Sequence, residues 1–262
     1  MSPTALITGA SQGIGKATAL LFAKNGYNLV ITARTKDKLE SVAEKIRSLG
    51  AQALAITTDV SDRDAVEALI NLGIERFSKI DVLVNNAGVC MTAPMNQTTI
   101  EDWERIISVN LWGYIYTINK LLPHFLQRQQ GNIINVGSFG GKVPLPNMTA
   151  YCTSKYAITG LTETLRIELE PKGIHVSGVH PSVTNSDFME RAIFKDSDPE
   201  QMKQLLTSPL ASKPEDVAKA IWNAVKHPQA EVVVGSAKVP TILHRLFPGI
   251  TQGIMQLANK AN

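Results

Sequence analysis

"TALITGASQGIGKATALLFAKNG" (residues 4–26) joins a short apolar run to a stretch with helical periodicity through a glycine-rich turn. "TALIT" reads as a strand. "GIGKATALLFAKNG" (13–26) reads as a helix that ends at Gly26, a suitable C-cap. Between them Gly9, Gly13 and Gly15 form G-x-x-x-G-x-G. Glycines here let the backbone turn tightly and approach a pyrophosphate, whose charge the helix N-terminus favours. The spacing differs from the commoner G-x-G-x-x-G, and the Gly-Lys-Ser/Thr of a P-loop is missing.

The same alternation continues along the chain. "YNLVITA" (27–33), "AQALAITT" (51–58), "IDVLVNNAG" (80–88), "GNIINV" (131–136), "GIHVSGVH" (173–180) and "EVVVG" (231–235) are strand-like. Helical patterns separate them at 35–50, 61–77, 101–128, 150–169 and 214–226. In the third helix Ser61 is the expected N-cap, with Asp62 and Asp64 at the positive end. Pro123 should kink or end the helix over 101–128. The strands are continuous apolar runs, which implies burial on both faces. The expectation is one α/β domain over 1–262, a Rossmann-type doubly wound parallel sheet of seven strands. Two stretches break the rhythm: 182–213, expected to be a substrate loop, and an apolar C-terminal tail at 236–262.

Composition narrows the function classes. Hydrophobic residues make up 44% and charged residues 19%, ordinary for a globular protein. A net charge of +3 with no Lys/Arg run of five or more excludes a nucleic-acid footprint. Two cysteines, Cys90 and Cys152, make no disulfide framework and suit a reducing compartment, and neither has the neighbours of a metal or redox site. Strand-like sequence by Thr4 leaves no room for a signal peptide, and no apolar run approaches the ~20 residues of a membrane span. A cytoplasmic protein without stable membrane insertion is expected.

Three features carry chemistry. The end of the second strand should read the adenosine ribose, and a free 2′-hydroxyl calls for a carboxylate there. Ala33 and Arg34 occupy that place, with no carboxylate before Asp37. An arginine fork suits a 2′-phosphate, so NADP(H) is the expected cofactor. In "NMTAYCTSKYAITG" (147–160), Tyr151 and Lys155 are four apart and share one helix face. The tail carries Ile242, Leu243, Leu246, Phe247, Ile250, Ile254, Met255 and Leu257, apolar surface that must be covered. A subunit contact or a cover over the substrate cleft is the first expectation, and reversible membrane contact the second, given how few basic residues accompany it.

Taken together these motifs resemble the short-chain dehydrogenase/reductase family, in its short subgroup, over about residues 4–181. The turn Gly9, Ser11, Gln12, Gly13, Ile14 and Gly15 is similar to the family's cofactor turn. Asp59 and Val60 match its adenine contact, and Asn86, Ala87 and Gly88 belong to its "NNAG" signature. Asn110, Ser138, Tyr151 and Lys155 match its catalytic tetrad, with Ser138 thirteen residues before Tyr151. The resemblance implies that Tyr151 exchanges the substrate proton. Lys155 would lower the tyrosine's pKa and hold the nicotinamide ribose. Ser138 would donate to the substrate oxygen and Asn110 would hold a water linking lysine to solvent. "HPSVTNSDF" (180–188) resembles the segment that wraps the nicotinamide, through Pro181, Thr184 and Ser186. Ser182 stands where glycine is usual, and Thr184 where valine or isoleucine is usual.

The resemblance implies an NADP(H)-dependent oxidoreductase for a carbonyl/secondary alcohol pair, working as a homodimer or homotetramer, with no metal. Phe139, Val143, Leu145 and Met148, with Phe188 and Met189, suggest an apolar substrate. The tail lacks the Asp-Gly-Gly ending familiar in 3-oxoacyl-carrier-protein reductases of the family. Two rivals stand beside this reading: a non-catalytic NADP(H)-sensing protein, against which the complete tetrad counts, and a nucleotide-sugar epimerase, which would have a longer C-terminal substrate region.

Overall fold

The computed structural model describes residues 2–185, 192–195 and 211–260, with side chains through Leu257. Seven parallel strands form one sheet: β1 (Thr4–Thr8), β2 (Asn28–Ala33), β3 (Ala53–Thr57), β4 (Val82–Asn85), β5 (Gly131–Val136), β6 (Ile174–Pro181) and β7 (Glu231–Val234). Their order across the sheet is β3-β2-β1-β4-β5-β6-β7. This is the expected doubly wound arrangement, with the strand order reversing between β1 and β4.

Alternation within the apolar runs explains the fold. Ile7, Ile31, Val84 and Ile134 face one side, under helices α1 (Gly13–Lys24), α2 (Lys36–Ser48) and α7 (Pro214–Lys226). Leu6, Val30, Leu83 and Ile133 face the other, under α3 (Arg63–Phe77), α4 (Ile100–Ile107), α5 (Gly113–Arg128) and α6 (Thr149–Leu169). Successive residues of a strand point to opposite faces, so a sheet covered twice needs apolar side chains throughout.

Three expectations change in detail. The N-cap of α3 is Asp62, which accepts from the N–H groups of Asp64 and Ala65 at 3.0 and 3.1 Å. Ser61 instead donates to the Asp59 carboxylate at 2.7 Å. The helix expected over 101–128 is two helices joined by a π turn, Ser108–Trp112. Pro123 does not end it; α5 runs on to Arg128 because the fully buried Leu121 and Phe125 hold both sides of the proline against the sheet. Beyond β4 a two-residue strand, Met91–Thr92, pairs with Ile193–Phe194, and Thr184 bridges Ser212, so the expected loop at 182–213 folds back on the sheet's C-terminal edge at its described ends. The tail forms two helices, α8 (Lys238–Leu246) and α9 (Pro248–Lys260).

At the opposite edge of the sheet, Asp81 ties the chain start to α5. It accepts from Thr4 N at 2.9 Å and from Arg128 at 2.5 Å, with Lys79 at 3.3 Å. Burial works to raise this carboxyl, but the Thr4 and Arg128 hydrogen bonds and the Lys79 and Arg128 charges outweigh it and hold it below its usual range. A depressed folded-state value stabilises above the ordinary Asp range, near ~4, and the stabilisation is lost as pH falls through the folded value. Asp81→Asn should cost about 1–2 kcal/mol at neutral pH, and the deficit should fade on acidification. Parallel denaturant titrations of both proteins at neutral and acid pH measure this; a deficit constant with pH contradicts the assignment.

Candidate active site

The cleft begins where β1 and β4 part. Gly9 and Gly13 both adopt positive φ (65° and 54°), a conformation that a side chain disfavours. A Cβ on Gly15 would sit 2.3 Å from the Gly9 carbonyl oxygen, and one on Gly9 would sit 2.9 Å from Ala87 Cα. The turn is braced from β4's exit. Asn86 Nδ2 donates to Thr8 O at 2.9 Å, and the N–H groups of Asn86 and Ala87 donate to Thr8 Oγ1 at 2.9 and 3.0 Å. Gln12 caps α1 without a side-chain bond, and the first turn holds no acidic residue.

One cleft gathers most of the residues expected at the cofactor: Gly9, Ser11, Gln12, Gly13, Ile14, Arg34, Asp59, Val60, Asn86, Ala87 and Gly88. Gly15 packs behind the turn, against the Gly9 carbonyl. Ala33, which the sequence placed beside Arg34 at the ribose, also lines it, and Thr35, Thr58, Val89 and Val109 complete the lining without a motif that marks them. Arg34 is exposed at the rim. Lys38 reaches Gln12 Oε1 at 3.3 Å, a second cation that helical periodicity could have pointed towards the turn. Pro181 and Thr184 lie beyond this lining, at the end of β6 and just after it. Ser186, Phe188 and Met189 lie outside the described residues.

Tyr151 and Lys155 do share one face of α6 and are 6% and 3% exposed. Ser138 follows β5, half-buried, its Oγ accepting from Gly140 N at 3.1 Å, and its side chain hydrogen-bonds the Tyr151 phenol. Asn110 sits fully buried in the π turn. Its Nδ2 donates to Val89 O at 2.9 Å and Ser154 Oγ at 3.0 Å, and its Oδ1 accepts from Val89 N at 2.8 Å. Both amide hydrogens are thereby engaged, so the side chain braces the loop after β4 against α6. Val143, expected near the substrate, is fully buried packing; Phe139, Leu145 and Met148 remain half-buried around the serine loop.

The electrostatics differ from expectation. Lys155 was expected to lower the tyrosine's pKa. In the folded chain burial pushes the Tyr151 hydroxyl up, and the Ser138 hydrogen bond opposes this only in part. Burial also depresses Lys155, to about 8, which weakens the charge that would have favoured the phenolate. What holds the ammonium is the Val136 carbonyl at 3.2 Å. The β4–β5 ladder ends one residue earlier, at Asn85–Asn135. The same carbonyl accepts from Tyr114 Oη at 2.9 Å, and the Tyr114 ring centroid is 5.5 Å from Lys155 Nζ. Sequence reasoning missed Tyr114, whose only signal was its place one turn after Asn110.

The family model for short chain dehydrogenase matches residues 3–197. The chain belongs to the short-chain dehydrogenase/reductase family. It is an oxidoreductase of that family by fold and sequence. A 3-oxoacyl-[acyl-carrier-protein] reductase of Staphylococcus aureus is 38% identical over 72% of this chain and 78% of its own length. A short-chain dehydrogenase of Sphingobium yanoikuyae, solved with NADPH, is 30% identical with TM-score 0.81, covering 97% of this chain and 95% of its own. One from Burkholderia phymatum, solved with NAD, is 26% identical with TM-score 0.82, covering 88% of each chain.

In this short-chain dehydrogenase/reductase the ring face of Tyr114 favours the charged form of Lys155. Tyr114→Leu should therefore move the lysine further down from about 8, by roughly half to one and a half pH units. Tyr114→Phe keeps the ring and should leave it near its original value. NMR titration of the Lys155 side chain distinguishes the two; a lysine unmoved or raised in Tyr114→Leu contradicts the assignment.

Proposed function

We propose that this chain is an NADP(H)-dependent oxidoreductase that passes a hydride between the nicotinamide and an apolar ketone/secondary alcohol pair, with Tyr151 as general acid/base. One observation carries the reading: Tyr151, Lys155 and Ser138 are brought together beside the cleft whose wall, at Val89, is tied to Asn110. The cleft suits a dinucleotide on its own geometry. The glycine turn leaves space where any Cβ would collide, α1 opens without a side-chain cap, and Gln12 Nε2 is buried without a hydrogen-bond partner among the described residues. Gly9, Gly13 and the start of α1 would hold the pyrophosphate, Arg34 the adenosine ribose phosphate, and Lys155 with Pro181, Thr184 and Ser186 the nicotinamide half.

The bound nicotinamide supplies or accepts the hydride. Tyr151 Oη, kept protonated by burial, donates its proton to the carbonyl oxygen in reduction and is reprotonated from solvent. In oxidation it must first lose that proton to solvent, and the phenolate then takes the alcohol's proton. Ser138 Oγ orients that oxygen and donates to it as charge develops. Lys155, anchored by Val136 O, provides a positive charge beside the phenol. Phe139, Leu145 and Met148 exclude water from the serine side of the site.

The Staphylococcus aureus relative favours a second substrate class, a 3-oxoacyl thioester, against which the lack of an Asp-Gly-Gly ending in the tail counts. Following NADPH consumption with apolar ketones and with a 3-oxoacyl thioester separates the two readings. Exposed Ile100, Trp112, Tyr156 and Ile167 on and between α4, α5 and α6 support subunit pairing through these helices, as a homodimer or homotetramer.

Tyr151→Phe removes the hydroxyl while keeping the ring's packing, so turnover should fall ~10²–10⁴-fold with cofactor binding little changed. Lys155→Ala should damage both. A Tyr151→Phe protein that keeps most of its ketone reductase activity would sink the mechanism. Cofactor choice is a separate outcome. Arg34 stands about twenty residues beyond the glycine turn, where ribose readers sit, with Ala33 buried beside it. One charge-assisted contact at an exposed rim should favour NADPH about tenfold, less at high salt. Arg34→Asp should move kcat/KM towards NADH; equal efficiency with both cofactors in the unmodified protein refutes this role.

A further inference from the structure

We propose that the C-terminal helix pair α8–α9 is a docking surface for an anionic lipid bilayer, and that it seats the protein on a membrane reversibly. The inference rests on the tail alone and needs no assumption about the reaction.

A polar contact joins the two helices. Thr251, 5% exposed, contacts His244 Nδ1 at 2.5 Å, which clips α8 to α9 at their corner, and donates to Pro248 O at 3.0 Å within α9. Their outward face is apolar. Val239, Ile242 and Leu246 on α8 are 73%, 59% and 63% exposed, and Ile250, Ile254 and Leu257 on α9 are 57%, 52% and 70% exposed. Phe247, 52% exposed at the corner, joins the two rows. On each helix these side chains recur at intervals of three and four, so each row is one stripe. A continuous stripe of this kind on a protein exterior marks a partner or a lipid surface.

Charge decides between them. The chain has no Asp or Glu after Glu231, while Lys238, Arg245 and Lys260 fall within the tail. Lys238 and Arg245 are exposed beside the stripe. The carboxylates that share the groove beneath α8 with them, Glu163 and Glu231, are engaged by Lys142 at 3.2 and 2.9 Å. A two-fold pairing of this face with itself would therefore set cations against cations with no carboxylate of the tail between them. An anionic lipid surface offers the opposite charge and an apolar interior in one partner. The seat would also have a consequence for access. Gln252, Met255 and Gln256 of α9 face Pro144, Leu145 and Pro146 across a small cavity, so the loop that carries Ser138 at its start lies alongside the docked helix.

The test is co-sedimentation of the full chain with vesicles of phosphatidylcholine alone and of phosphatidylcholine mixed with phosphatidylglycerol. The protein should pellet with the mixed vesicles several-fold more than with the neutral ones, and less as salt rises. Lys238→Gln with Arg245→Gln should remove most of that preference, since each basic side chain contributes up to roughly fivefold. Ile242→Glu with Ile250→Glu should abolish pelleting while circular dichroism and thermal unfolding stay those of the parent. Analytical ultracentrifugation of both proteins completes the experiment. No pelleting with either vesicle overturns the proposal, as does pelleting indifferent to lipid charge. An oligomer that dissociates in Ile242→Glu with Ile250→Glu, without vesicle binding by the parent, assigns the face to a second copy instead.

Discussion

Everything at the mouth of this sheet depends on one close approach. The backbone of Gly9 lies against Gly15 and the Asn86 amide with no room for a side chain between them. That approach lets β1 end, turn and launch α1 within a few residues, while Asn86 and Ala87 lock β4 to the same turn through Thr8. Because β1 and β4 are neighbours whose connections leave in opposite directions, the chain opens a crevice at this point without distorting the sheet. Larger residues in the turn would push the strands apart before they affected any ligand.

A second constraint is the burial of charge and near-charge around α6. Lys155 is almost fully buried, and the group that compensates it most directly is a backbone carbonyl left free by the end of a ladder. Tyr114 shares that carbonyl and turns its ring face to the ammonium. Deeper in the same layer Asn85, Asn135, Thr117 and Thr162 form a connected chain of hydrogen bonds between β4, β5, α5 and α6. A buried polar chain that is fully partnered fixes the positions of the helices it joins more sharply than apolar packing does. The helices that carry Tyr114, Tyr151 and Lys155 are thus set relative to each other by polar contacts.

The exterior divides in a related way. Apolar residues on and between α4, α5 and α6 lie on the layer behind the site, whereas those of α8 and α9 lie past the last strand, beside the serine loop. The first group is bordered by charges of both signs, including Glu163, Arg166 and Glu170. The second draws only cations from its own helices, and the carboxylates nearest to it, Glu163 and Glu231, pair with Lys142. Similar apolar exposure therefore carries different electrostatic instructions at the two places.

The strands, the sheet type and the glycine turn were legible in the sequence because each is written in local periodicity. A continuous apolar run announces burial on both faces, and glycines between a strand and a helix announce a tight turn. Tyr151 and Lys155 could be aimed at one point from spacing alone, because a helix fixes where residues four apart must lie. The tertiary structure decided what depends on neighbours distant in the chain. It replaced one long helix by two around a π turn, turned Asn110 into a brace across to Val89 and Ser154, and brought Tyr114 to Lys155. It reversed the expected direction for Tyr151, because spacing reports which groups share a face and says nothing of how deeply they are buried. It also showed which side of the tail faces out: composition counts apolar side chains, but only packing assigns them to the core or the surface.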